Sequence, residues 1–496
     1  MLEIKGKYTG VKIMIDDVEE TAMKQLYNIV NHPVFTNPIA AMCDIHAGSG
    51  CVVGFTMSLT INGIVPNVCG VDIGCGMLGV NFGKILGLSK DKIDVEIRRN
   101  IPLGMSIHEF PAVDFEKDFN WEKASENCRK FVSIYNSKFG TDFKPVEYNY
   151  DWFIKKCKEI NIDFEKAVCS VSSLGGGNHM IELGKSENTG DYWVIVHSGS
   201  RNFGLKIANY HQNKAKKQLE YKRNVLLKEK INEITKNTID RTQVPKLIEQ
   251  AKKDLKIFTT DTSLNGMEYL DGQLAMNYFI DMIFTQVYAE LNRESMINTI
   301  LSILNIKNKE IIDRVHSIHN YIDFNDLIIR KGAIRSYVGE RMIIPLNMRD
   351  GWMLCEGKSN PEWNFSAPHG AGRVMSRGEA NRKLTLEKYQ KSMEGIYSTS
   401  VNKDTLDESP MCYKKSEVIE NAIIPTAVMI DKIKPVLNIK ASETAISWKE
   451  RREMMKGKTA NKLITSKTYR SDKEKSHRDG RKNKQKIQKY LKDNTI

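Results

Sequence analysis

The chain has 496 residues, 41% of them hydrophobic, and a formal net charge of +13. That content is ample for a large core, while no apolar run approaches the roughly 18 residues a membrane-spanning helix needs. Nine cysteines, an odd number with no C-x-x-C pair, and a polar beginning argue against a disulfide framework and for a soluble, cytoplasmic protein.

The charge is unevenly spread. From Trp448 to Ile496 there are 17 Lys/Arg against 6 Asp/Glu, so the body is near neutral and the tail is basic. A basic segment poor in aromatics attracts polyanions without reading their sequence.

In chain order, Val11-Lys12-Ile13-Met14-Ile15 alternates like a strand, and Val18 to Val30 has a helical pattern. Met42-Cys43-Asp44-Ile45-His46-Ala47-Gly48 groups an acid, a histidine and a glycine. Cys51 to Ile61 reads as a buried strand, and Asn62-Gly63 as a hairpin turn returning toward Asp72. Ser89 is placed to cap a helix through Arg99. Residues 115–165 read as charged helices forming a solvent-facing cover. Tyr192-Trp193-Val194-Ile195-Val196 is a β-prone run ending at His197. Leu205 to Leu255 is helical and Lys-rich, and Tyr269 to Arg293 is a helix with an apolar face. After residue 309 the pattern turns β-like: 314–319, 327–329 and 342–344. No repeat stands out, and no boundary appears before about Ser442. A single domain over residues 1–442 and a basic extension over 443–496 are therefore expected.

Chemistry concentrates in the turns. Asp72 and Cys75, in Asp72-Ile73-Gly74-Cys75-Gly76, offer hard oxygen and soft sulfur, a pair suited to a borderline divalent metal such as Mn²⁺ or Zn²⁺. His179 follows Gly175-Gly176-Gly177-Asn178, and His197 and His319 lie in turn-like or strand-end settings. Together the five residues supply the ligands of a two-metal phosphoryl-transfer site, with Asn178 and Glu182 placed to touch or support it. His369 stands before Gly370-Ala371-Gly372-Arg373, where open backbone and a cationic fork suit phosphate. Sequence chemistry leaves it as a covalent nucleophile, a sixth metal ligand or a turn residue.

The turns DIGCG (72–76), GGGNHMIE (175–182), HSGSR (197–201), HN (319–320) and HGAGR (369–373), in this order, resemble the RtcB family of RNA-splicing ligases. The likeness runs from about Met42 to Lys440 and includes Arg330-Lys331-Gly332-Ala333, Asp407-Glu408-Ser409-Pro410 and Tyr413-Lys414. The resemblance implies an α+β fold with central β-sheets and surrounding helices. It implies two Mn²⁺ ions, GTP and a histidine–GMP intermediate. RNA 3′-phosphate or 2′,3′-cyclic phosphate ends would be joined to 5′-hydroxyl ends, in tRNA splicing or RNA repair. Asp72, Cys75, His179, His197 and His319 match the metal ligands, with Cys75 as the bridge, and His369 matches the nucleotidylated histidine. Asn178, Glu182, Tyr413 and Lys440 match positions contacting the guanine nucleotide. A monomer is expected, with an archease-type activator as a partner. Ile329 and Ile334 replace a histidine and a threonine usual in the family, and Pro345 to Gly351 replaces a nucleotide-holding loop. The alternative is a binuclear metal phosphodiesterase that opens cyclic phosphates without GTP, using His369 as acid/base.

Overall fold

The computed structural model describes residues 1–84, 86–260 and 266–441, together with Gln485. Apart from that residue the basic tail and its expected boundary lie outside the described residues. The remainder is α+β, as expected.

A seven-stranded antiparallel sheet holds the centre. Its strands run in the order Arg341–Asn347, Gly351–Gly357, Ala427–Lys440, Met180–Ser186, Tyr192–Ser198, Gly76–Gly83, Asp313–Ile318. The two edge strands come back against one another, where the Ile343 N–H donates to Ser317 Oγ at 2.7 Å, so the sheet is nearly closed. Strand side chains alternate in direction, and the sequence uses both faces. Met77, Met180, Trp193, Ile195, Ile343 and Trp352 fill the inside. Leu78, Val80, Ile181, Leu183, Val194 and Val196 pack outward against Met296, Ile297 and Ile300.

Those last three residues belong to the helix Gly272–Ile303, which is apolar almost all round. Such a helix has to be buried on several sides. Beyond its sheet contact it meets the helices Phe115–Asp118, Trp121–Phe139, Tyr150–Glu159 and Phe164–Cys169, through stacked pairs such as Phe119–Phe284 at 4.7 Å between ring centroids. The 115–165 segment is thus half of an aromatic core and not merely a solvent-facing cover, because its phenylalanines recur on the inward faces of its helices.

A second, six-stranded sheet runs Leu2–Lys5, Gly10–Ile13, Ile39–His46, Val53–Ser58, Ile328–Lys331, Asn320–Ile322. The Asn62-Gly63 turn closes on a Thr60–Gly63 bridge, but no returning strand follows. Ile64 instead bridges to Leu270, and Pro66, which has no N–H to give a ladder, opens a short 3₁₀ turn to Cys69. The helix Lys90–Asn100 starts just after Ser89, without a side-chain cap bond from it. Finally, Ala333–Arg335 pairs with Ser366–Pro368, a short ribbon that delivers His369.

Candidate active site

Strand register assembles the site. Lys440 pairs with Met180, Met180 with His197, His197 with Met77, and Met77 with Ser317. Cys75, His179, His197 and His319 therefore emerge side by side at one rim of the sheet, each within two residues of that row. The signal visible in sequence, a histidine where a β-prone run ends, holds for His197 and His319, while Cys75 and His179 stand just before their strands.

The imidazole Nε2 atoms turn toward Cys75. Its Sγ lies 3.4 Å from both His179 Nε2 and His197 Nε2, His197 Nε2 is 3.3 Å from His319 Nε2, and His179 Nε2 is 2.9 Å from Asp72 Oδ2. Edges of this length are what donor atoms make around an ion about 2.1 Å from each. The sulfur stands between an Asp72/His179 half and a His197/His319 half. Burial above all, then neighbouring cations, holds the imidazoles of His197 and His319 well below their ordinary pKa, so they are neutral donors. Burial and the Asp72 carboxylate push the Cys75 thiol up, opposed by Arg293. That environment favours a thiolate only when a cation sits beside it. The donor set therefore fits divalent metal.

Two glycines are needed for this packing. A Cβ on Gly199 would lie 2.2 Å from Asp72 Oδ1, and one on Gly175 would lie 2.2 Å from His179 Nδ1. Arg293, fully buried, donates from Nη1 to the carbonyls of Gly74 at 2.7 Å and Ser198 at 2.9 Å. It ties the residues next to Cys75 and His197 together.

His369 sits beside this cluster, its ring centroid 4.7 Å from that of His319. Asp44 Oδ2 lies 2.5 Å from His369 Nδ1 and accepts the backbone N–H groups of His369 at 2.9 Å and Gly370 at 3.2 Å. A proton held on Nδ1 by a carboxylate leaves Nε2 with its lone pair. Asp44 is fully buried, and sequence reasoning assigned it no role. The signal was Asp44 beside His46 in an otherwise apolar strand, where an acid is rarely buried without a partner.

On the other side, Lys440 Nζ donates to Glu408 Oε2 at 2.9 Å and to the Asn178 carbonyl at 3.3 Å. The Tyr413 hydroxyl donates to Glu408 at 2.6 Å. Burial alone would raise the Glu408 carboxyl, but Lys440, Arg377 and Tyr413 outweigh it and hold it at about 2. Glu408 is thus the anion joining three cavity-lining side chains. Arg373 is less open than its motif suggests. Its Nη2 donates to the Asp407 carbonyl at 2.7 Å, its Nε to the Met375 carbonyl at 3.1 Å, and its guanidinium stacks 5.3 Å from the Tyr413 ring centroid. Glu182 lies deeper, fully buried. Its Oε2 accepts from Asn438 Nδ2 at 2.6 Å, while its Oε1 has no hydrogen-bond partner among the described residues. Burial raises its carboxyl to about 8.

A cavity of about 710 Å³ opens between these groups, lined among others by Asp72, Cys75, Asn178, His197, His319 and His369. Gly370, Ala371, Gly372, Arg373, Tyr413 and Lys440 complete its other wall. Its size matches a nucleotide-scale ligand. Of the departures from the family pattern, Pro345 to Met348 line this cavity. Ile329 and Ile334 are buried in apolar clusters instead.

Residues 25–441 match the family model described as tRNA-splicing ligase RtcB. The chain is 26% identical over 441 residues to the RNA-splicing ligase RtcB of Escherichia coli K12, covering 85% of this chain and 95% of that protein. It is 23% identical over 497 residues to the tRNA-splicing ligase RtcB of Archaeoglobus fulgidus, covering 86% and 92%. It is 22% identical over 500 residues to that of Methanococcus maripaludis, covering 88% and 94%. With a family match across most of its length and a metal-type Cys/His cluster at its centre, this chain belongs to the RtcB family of RNA-splicing ligases.

Proposed function

We propose that the chain is a GTP- and Mn²⁺-dependent RNA ligase that joins 3′-phosphate or 2′,3′-cyclic phosphate ends to 5′-hydroxyl ends through His369–GMP, acting in the cytoplasm in tRNA splicing or RNA repair. The observation that carries this reading is the setting of His369: Nδ1 lies 2.5 Å from the buried Asp44 carboxylate, and the ring lies against His319 of the metal-type cluster. A neutral imidazole so oriented is a nucleophile. A bystander ring would need no buried carboxylate behind it.

His369 Nε2 attacks the α-phosphorus of GTP, the N–P bond forms, and the bond to pyrophosphate breaks. An oxygen of the RNA 3′-phosphate then attacks the same phosphorus, and the electron pair of the N–P bond returns to Nε2. The 5′-hydroxyl of the second RNA end attacks the activated 3′-phosphate, loses its proton, and GMP departs. Asp44 holds the Nδ1 proton throughout. Asp72, Cys75, His179, His197 and His319 would together hold two Mn²⁺ ions, which would neutralise charge on the reacting phosphates. The unpartnered oxygen of Glu182, beyond Met180, supports guanine recognition, since guanine presents N–H donors on its pairing edge. Lys440, Asn178 and Tyr413 line the cavity and would meet the rest of the nucleotide. A monomer assisted by an archease-type activator belongs to the same reading.

Incubation with GTP labelled at the α-phosphate and Mn²⁺, followed by a denaturing gel, tests the proposal. Label should stay on the protein and vanish with His369→Ala. Absence of label from metal-loaded protein, with an archease-type activator added, would favour the GTP-independent hydrolase.

A further inference from the structure

The helix Arg201–Asn237 is 37 residues long, and its last buried residue is Ala215. From there it runs about 33 Å at 1.5 Å per residue, outside the core, before the chain turns back along Val244–Thr260. The stability of a ligase core does not call for such an arm. Its composition does point to a use: from Lys214 to Lys253 there are 12 Lys/Arg against 5 Asp/Glu, although the body as a whole is near neutral.

Both roots of the arm stand on the wall of the active-site cavity. Ser200, just before the first helix, donates its N–H to Asp72 Oδ1 at 3.0 Å. Gly266, where the described chain resumes after the second helix, accepts from Asn67 Nδ2 at 2.8 Å. Asp72 and Asn67 both line the cavity. Along the first helix, Lys214, Lys217, Tyr221, Lys228 and Asn232 follow at steps of three, four, seven and four residues, which puts them on one face. No Asp or Glu falls on that line. Tyr221 is 70% exposed, an unusual place for an aromatic ring.

We propose that this arm is an accessory RNA-binding surface. Its lysine line would grip phosphates of the strand leading away from the end being joined, with Tyr221 giving a base a stacking face. The proposal rests on the RNA-ligase reading for its partner. The arm extends from the active-site wall, so it acts only on RNA long enough to reach along it.

The test uses the full chain with Lys214→Gln, Lys217→Gln, Tyr221→Ala and Lys228→Gln combined. Binding of a fluorescent RNA of about five nucleotides and one of about forty is measured across a salt series. For the long RNA, the slope of log affinity against log salt should fall by about two and Kd should rise about tenfold at low salt. Short-RNA binding and His369 labelling should not change. Replacing the three lysines by arginine should restore the slope. Equal affinity and slope in parent and variant would overturn the proposal. So would a loss shared equally by the short RNA and the labelling reaction, which would mean that the changes act through the fold. If the parent bound RNA but took no label, the ligase reading would fail while the comparison still judged the arm.

Discussion

Replacing Asp44 by Asn isolates the role of the buried carboxylate behind His369. The Asn oxygen can still accept the backbone N–H groups of His369 and Gly370, which Asp44 Oδ2 holds at 2.9 and 3.2 Å, so the loop should keep its shape. Because that same oxygen position also faces Nδ1 at 2.5 Å, the Asn oxygen still accepts the Nδ1 proton but as a neutral group, so the ring keeps its orientation and loses the negative charge behind it. The charged hydrogen bond lost is worth about 1.5–3 kcal/mol, or roughly 10- to 150-fold in rate. Single-turnover labelling with α-labelled GTP measures the rate, equilibrium GTP binding measures ground-state affinity, and thermal unfolding checks the fold. Slower labelling with GTP affinity and unfolding temperature preserved is the expected result. Labelling at the parent's rate would show that Asp44 does not set the reactive form of His369.

Gly199→Ala should displace the Asp72 carboxylate, since its Cβ would lie 2.2 Å from Oδ1. Elemental analysis should show less bound metal per chain at unchanged circular dichroism, and full loading would contradict the packing argument. Glu408→Gln should cost stability in a pH-dependent way. The folded carboxyl is held at about 2 against an ordinary 4.5, so the wild type's advantage is fully present above about pH 4.5 and is lost as pH falls toward 2. The difference in pKa corresponds to about 3 kcal/mol at neutral pH. Urea unfolding of both proteins between pH 3 and 7 reads it, and a gap that does not narrow in acid would be the contrary result.

Much of the site was legible because its residues carry local marks. His197 ends a β-prone run, Cys75 lies between glycines, and His369 precedes Gly-Ala-Gly-Arg. What brings them together was not legible. The row from Lys440 to Ser317 depends on pairings between strands hundreds of residues apart, and no local pattern encodes register. The strand Ala427–Lys440 passed unnoticed because lysines, an aspartate and a proline interrupt its apolar alternation. Asp44 and Glu408 were visible as acids, but their importance comes from burial and from the cations and histidine they face. Arg373 shows the converse. Its motif marks it as a cationic fork suited to phosphate, and it lines the cavity, yet backbone carbonyls and Tyr413 already engage its guanidinium. The aromatic layer of residues 115–165 was hidden by the charges on its outer faces.

The decisive measurement is a pulse and chase. Protein labelled with α-labelled GTP is freed of nucleotide and mixed with RNA carrying a 3′-phosphate, with and without a 5′-hydroxyl partner strand. If His369 is the nucleophile of an RNA ligase, label leaves the protein for the 3′-phosphate end, then appears as free GMP while the two strands become one. Joining without prior labelling, or label that stays on the protein in the presence of both RNA ends, would contradict it.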